Sequence, residues 1–204
     1  MENIERNALF KIGYGLYVLT AREDGKDNGC IVNVVAQATD DPLQIVLTVN
    51  KKNLTHDMIL RTGQFNVSML TEDTPLKVFQ HFGMQSGRDA DKFADCEHDT
   101  RATNGIRYIP QFTNAYISGK VVRTMDLGSH TLFVAEVTEA KQLSDATSLT
   151  YNYYQQHIKP KPAQTPKTTR WVCQVCGYIY EGENIPEDFV CPWCKHGKSD
   201  FVKE

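Results

Sequence analysis

A mainly β chain with a few helices, forming an antiparallel barrel followed by a small metal-knotted unit, is the fold class that three observations predict. From residue 12 to residue 50, apolar β-formers alternate with turn signals, the period-2 pattern of half-buried strands. Helical stretches are few and short, so the regular crossover helices of a parallel α/β sheet are missing, and closure into a barrel removes exposed strand edges. The third observation is a crowded set of cysteines, Cys173, Cys176, Cys191 and Cys194, placed after a Pro- and Lys-containing stretch.

The elements follow in order. Gly15-Leu16-Tyr17-Val18-Leu19-Thr20 and Ile31-Val32-Asn33-Val34-Val35 read as strands of a hairpin, with Asp24-Gly25 and Asn28-Gly29 as turn signals. Asp41-Pro42 breaks the chain before the strand Leu43-Gln44-Ile45-Val46-Leu47-Thr48-Val49. Thr55 is placed to cap a short helix through Met58, Ile59 and Leu60 that Gly63 ends, and Phe65-Asn66-Val67-Ser68-Met69-Leu70 resumes the β pattern. Thr74-Pro75 starts a second helix whose apolar face is Leu76, Val78, Phe79 and Phe82, with Gly83 as its stop. Residues 115–122 and 131–137 are further strands. A last helix over 149–156 carries Tyr151, Tyr153 and Tyr154.

A length of 204 residues suits one barrel, 1–156, a linker, 157–170, and a small unit, 171–204. The linker spaces Pro160, Pro162 and Pro166 with Lys, Thr, Ala and Gln, a composition that builds no core and favours an extended tether. Net charge is −3 over 41% hydrophobic and 23% charged residues, whereas a dedicated nucleic-acid binder is usually basic. No apolar run reaches the roughly 18 residues of a membrane span, and the start lacks a signal-peptide layout, so the expected address is cytoplasmic. Cys30 and Cys96 stand alone, and Cys30, in an apolar stretch, reads as a small buried hydrophobe.

Two C-x-x-C pairs offer four thiolates, a set suited to one tetrahedral ion, either zinc or iron. The 14 residues between Cys176 and Cys191 lie near zinc-ribbon spacing, which by itself favours zinc. A redox centre further asks for small residues beside the sulfurs and an apolar shell. Gly177 follows the first pair, and Trp171, Tyr178, Tyr180, Phe189, Trp193 and Phe201 crowd the segment.

The run from Trp171 through Cys173, Cys176, Gly177, Tyr178 and Tyr180, then Cys191-Pro192-Trp193-Cys194 and Asp200-Phe201, resembles a rubredoxin domain in the short form found in rubrerythrins. That resemblance implies one iron held by Cys173, Cys176, Cys191 and Cys194. Lys195 stands where many rubredoxins have glycine, which predicts a less regular second knuckle. A unit this small leans on its metal for folding.

In the barrel segment no phosphate-loop, nucleophile-elbow or His-rich pattern occurs. Polar Asn33, Gln37 and Thr39 interrupt apolar strands, and Asn50-Lys51-Lys52-Asn53-Leu54-Thr55-His56 sits at a strand-to-helix junction. Donors and cations at a helix N-terminus bind phosphate, and surface turns share the same composition. Gly29 through Asn33, the Asn50–His56 run, Phe82-Gly83, Ser86 through Phe93, Gly128 through Phe133 and Leu149-Thr150-Tyr151 together resemble the FMN-binding split-barrel flavin reductases. The resemblance implies a homodimer binding FMN near its interface. It places the flavin ring against Asn33, Val34, Val35 and Gln37, with Thr39 nearby. The phosphate falls to Lys52, Asn53, Thr55 and Lys92, supported by Ser86 and Arg88, and Asn50, Lys51 and Tyr151 are further cofactor-binding candidates. His130 is the candidate catalytic residue, beside the ring and the NADH or NADPH donor.

The whole chain resembles the high-molecular-weight rubredoxins, flavin reductase domains fused to rubredoxin. This implies an NAD(P)H-dependent oxidoreductase that passes electrons through FMN to iron and on to a flavodiiron protein reducing oxygen or nitric oxide. A reductase releasing free reduced flavin and a zinc-ribbon interaction module are the alternatives at this stage.

Overall fold

Burial alternates along the fourth strand and runs continuously through the centres of the first, second and fifth, and two-residue turn chemistry sets the first pairing. The computed structural model describes residues 4–94, 100–160 and 170–203. Strands β1 (Tyr17–Glu23) and β2 (Lys26–Val32) meet at Asp24 and Gly25, whose φ angles of 48° and 81° give the mirror-type turn that matches strand twist. Asn28-Gly29 is not a turn but lies inside β2. A Cβ on Gly29 would sit 3.1 Å from the Phe82 ring, so glycine here permits close packing of the second helix.

Strands β3 (Val35–Asp40), β4 (Leu43–Asn50), β5 (Gln64–Leu70), β6 (Thr113–Asp126) and β7 (His130–Gln142) complete an antiparallel sheet in the order β2-β1-β5-β6-β7-β4-β3. β3 is a separate edge strand that the sequence pattern did not show, because residues 36–40 are all exposed. Register shifts between Ser118 and Gly119 and between Val121 and Arg123 bend the long β6–β7 pair and curl the sheet. Gly119 is required at the bend, since a Cβ there would lie 2.4 Å from the Phe65 ring.

Helix α1 (Leu54–Thr62) follows β4 and buries Met58 and Ile59 against Leu19, Leu47, Val49, Phe65, Val67 and Phe133. Each such buried side chain contributes roughly 1.5–3 kcal/mol of transfer free energy. Helix α2 (Leu76–Gly83) packs Phe79 and Phe82 into a second cluster with Leu16, Val18, Leu70, Phe93 and Leu149. Helix α3 (Tyr151–Tyr153) is shorter than its apolar pattern suggests. The Thr150 hydroxyl accepts the Tyr153 N–H, and the chain then widens into a π turn over Tyr154–Ile158.

Residues 1–159 and 160–204 form two compact units. The second holds strands β8 (Arg170–Cys173), β9 (Ile179–Glu181) and β10 (Phe201–Lys203), ordered β10-β8-β9. Its fully buried core is Cys173, Ile185, Cys191 and Phe201. Cys96 and the linker prolines Pro162 and Pro166 lie outside the described residues. Among the described residues no helix is long and apolar enough to cross a membrane.

Candidate functional site

In the barrel unit, the β4–β7 register places Asn50 opposite His130, and the chain turns at once from Asn50 into α1. Asn50 Oδ1 accepts the Lys52 N–H at 2.9 Å, shaping that turn. Asn53, not Thr55, occupies the N-cap position, and its side chain makes no cap hydrogen bond. Thr55 is buried and accepts a hydrogen bond from Asn28 Nδ2 at 2.9 Å.

The N-terminal end of α1 opens into a cavity of about 270 Å³ whose walls include Asn28, Lys52, Asn53, Thr55, Ser86 and Lys92. A Cβ on Gly87 would meet Asn28 Oδ1 at 2.1 Å, so any larger residue would have to displace the Asn28 amide from this wall. Lys92 is 4% exposed and donates to the carbonyls of Gly29 and Phe82, each at 2.9 Å. Burial lowers its pKa below the ordinary lysine value. A polar cradle of hydroxyls, amides, a helix N-terminus and two lysines matches the chemistry of a phosphate.

A second cavity of about 380 Å³ shares Cys30, Asn53, Gly83 and Met84 with the first and adds Asn50, Phe82, His130, Tyr151 and Tyr154. It is aromatic where the first is polar. The Cys30 thiol between them is pushed up to about 11 by burial, in keeping with an inert buried hydrophobe.

The remaining candidates lie elsewhere. Val35 and Gln37 line an apolar cavity of about 410 Å³, with Tyr17, Leu43, Ile45 and Ile117. Asn33 and Val34 form the half-buried link from β2 to β3. Thr39 is exposed and donates to the Pro42 carbonyl. Lys51 pairs with Asp126 at 2.6 Å, and Arg88 with Asp57 at 2.6 Å. Asn28 and Gly87 are the site residues missed from sequence, Asn28 because Asn-Gly reads as a turn.

In the second unit the four cysteine Sγ atoms lie within 4.8 Å of one another, with Cys173–Cys194 and Cys176–Cys191 at 3.6 Å. A tetrahedral ion with bonds of about 2.3 Å needs sulfurs about 3.8 Å apart, so the cage fits one metal ion. The two knuckles are alike: Gly177 N–H donates to the Cys173 carbonyl at 2.8 Å, and Lys195 N–H to Cys191 at 3.0 Å. Lys195 adopts φ 62° beside 75° for Gly177, so the second knuckle is regular despite lacking glycine. Burial raises the Cys191 thiol, but N–H groups of Cys194 and Trp193 and neighbouring thiols bring it down to about 7. Trp171, Tyr178, Tyr180 and Phe189 pack around the core, while Trp193 is 71% exposed.

A curled barrel with a donor-lined cavity and a unit with a four-thiolate cage define a protein with an anion-binding cavity and a metal site. Residues 9–161 match the flavin reductase like domain family, and residues 171–202 match the rubrerythrin, rubredoxin-like domain family. A high molecular weight rubredoxin of Moorella thermoacetica is 33% identical over 97% of this chain and 99% of its own. A ferric-chelate reductase (NAD(P)H) of Archaeoglobus fulgidus is 40% identical over 79% of this chain and 93% of its own. Among solved structures, the styrene monooxygenase flavin reductase of Pseudomonas putida covers 77% of this chain and 97% of its own, at 24% identity and TM-score 0.60. The NADH:FAD oxidoreductase of Streptomyces globisporus, solved with NAD and FAD fragments, covers 78% and 92%, at 19% identity and TM-score 0.65. The chain belongs to the high molecular weight rubredoxin family, a flavin reductase-like split barrel fused to a rubredoxin-like domain. Its cofactor classes are accordingly a flavin and one iron held by four cysteines, which settles the choice that spacing left open.

Proposed function

We propose that this chain is an electron-transfer flavoprotein carrying electrons from NADH or NADPH through FMN to the four-cysteine iron, and on to a partner such as a flavodiiron oxygen or nitric oxide reductase. The observation that carries the reading is the joining of a flavin reductase-like barrel and a four-thiolate cage in one chain. FMN, when bound, takes two electrons as a hydride and releases them singly, whereas a thiolate-bound iron takes one at a time.

In this reading Lys52, Asn53, Thr55 and Ser86 hold the phosphate, with Lys92 supplying a buried positive charge. Asn33, Val34, Val35 and Gln37 hold the ring, and His130 and Tyr151 line the space where a hydride donor is oriented. Lys51 and Arg88 act indirectly, since their charges are engaged by Asp126 and Asp57. A homodimer and a cytoplasmic address belong to the same reading; a thiolate cage assembles from reduced cysteines.

Anaerobic stopped-flow mixing of holoprotein with NADH and NADPH tests it. Flavin bleaching followed by loss of the ferric-thiolate band is expected. An intact chain whose iron stays oxidised after its flavin is reduced refutes the route. The second reading is a reductase delivering free reduced flavin, supported by the 40% identity of the barrel segment to a ferric-chelate reductase (NAD(P)H) that this chain covers to 93%. It predicts that flavin leaves on dialysis and turnover, whereas the leading reading predicts retention.

A further inference from the structure

His56 is 3% exposed, and neither cavity is lined by it, yet it links elements that form their walls. Its Nε2 lies 2.8 Å from Thr131 Oγ1 on β7, next to His130. Its Nδ1 lies 2.9 Å from Asp57 Oδ1, and Asp57 Oδ2 accepts from Arg88 Nη2 at 2.6 Å. Arg88 ends the segment Gln85-Ser86-Gly87 that forms one wall of the polar cavity, and Arg88 N–H also donates to Ser86 Oγ at 3.1 Å. The Arg88 guanidinium, then the His56 ring, hold the Asp57 carboxyl below the usual carboxylate range, so it stays charged. Thus one buried imidazole connects β7, the first turn of α1 and the 85–88 loop.

We propose that His56 is a positioning residue that fixes the spacing of these three walls, and through it the recognition of the FMN phosphate. The inference rests on reading the polar cavity as the phosphate site. The His56–Thr131 end of this chain is buried, while the Asp57–Arg88 end reaches the surface; hydrogen bonds that share partners in this way are cooperative, and a displacement of one wall by a fraction of an ångström weakens contacts made by the others. The phosphate is more sensitive than the ring, because directional bonds to a small anion lose more than apolar packing does.

The test measures the preference for FMN over riboflavin by fluorescence titration of full-length, iron-loaded protein freed of flavin. His56→Leu, Thr131→Val, their double variant, His56→Gln and Lys52→Met are compared. Expected results are a loss of preference of at least fivefold in His56→Leu, a loss in the same direction in Thr131→Val, no further loss in the double variant, and partial recovery in His56→Gln. A merely structural role weakens both flavins equally, and that result overturns the proposal, as does a preference kept within twofold. If His56→Leu fails to fold, Thr131→Val decides alone: loss of preference supports the proposal and an unchanged preference overturns it. Lys52→Met separates the two levels. If it leaves the preference unchanged, the phosphate-site reading fails and the positioning role with it; if it lowers the preference while His56→Leu does not, only the positioning role fails.

Discussion

Replacing Lys92 by Met keeps most of the side-chain volume and removes its ammonium. In the folded protein that ammonium donates to the Gly29 and Phe82 carbonyls at 2.9 Å and is 4% exposed. Without it two buried carbonyls lose a donor, each costing about 1–3 kcal/mol, while the desolvation of a buried charge is relieved. The two effects oppose, and a net destabilisation of about 1–3 kcal/mol is expected. Loss of one charge-assisted contact to phosphate costs about 1.5–3 kcal/mol, or about 10- to 150-fold in FMN dissociation constant. Fluorescence titration of the flavin-free protein measures it, with thermal melting as the control on folding. A change under threefold in a folded variant refutes the assignment. The sign with pH also follows. Burial lowers the Lys92 pKa below 10.5, so on the proposed phosphate assignment FMN affinity in the wild-type protein is expected to fall as pH rises through that lowered value and the ammonium is neutralised.

Other perturbations have equally definite outcomes. Glu139 accepts from Thr103 N–H at 2.8 Å, Thr103 Oγ1 at 2.6 Å and Tyr116 at 2.6 Å, and these bonds, Thr103 foremost, lower its pKa to about 2. A depressed carboxylate stabilises the fold above its ordinary value of 4.5, and that contribution is lost as pH falls toward about 2. Glu139→Gln is therefore expected to flatten the acid limb of the stability curve between these values; an unchanged limb in acid melts rules the contribution out. Cys191→Ser is expected to abolish the iron band and expose residues 171–203 to protease while the barrel melts as before, because half of the small unit's buried core is ligand cysteine. Retained protease resistance without metal contradicts this. Lys195→Gly relieves a left-handed backbone at φ 62° and is expected to stabilise the metal-loaded unit by about 1 kcal/mol in guanidinium titrations.

What sequence reveals here depends on whether the signal is local. The cage was legible because two C-x-x-C pairs carry their geometry in their own spacing, whereas the regular second knuckle was not, because Lys195 takes the left-handed conformation that glycine was expected to supply. The hairpin at Asp24-Gly25 was legible for the same reason. Gly29 was read as a turn because its actual role, admitting Phe82, depends on a residue far along the chain. Thr55 looked like a helix cap, yet its hydroxyl is engaged by Asn28 across 27 positions. β3 escaped notice because five exposed residues leave no apolar alternation to detect. Lys92 was named for its charge, and its burial between two carbonyls is information that only tertiary packing supplies.

The two lysines of the polar cavity differ in how freely natural variation can alter them. Lys92 fastens the end of α2 to β2, so a change there disturbs the scaffold as well as the proposed phosphate site. Lys52 is exposed and makes no such tie through its ammonium among the described hydrogen bonds. On the proposed phosphate assignment, flavin retention is adjusted over evolutionary time at the rim, by exchanging Lys52, while the deep cation stays under a double constraint. Relatives of this chain are therefore expected to diverge at the first position and to agree at the second.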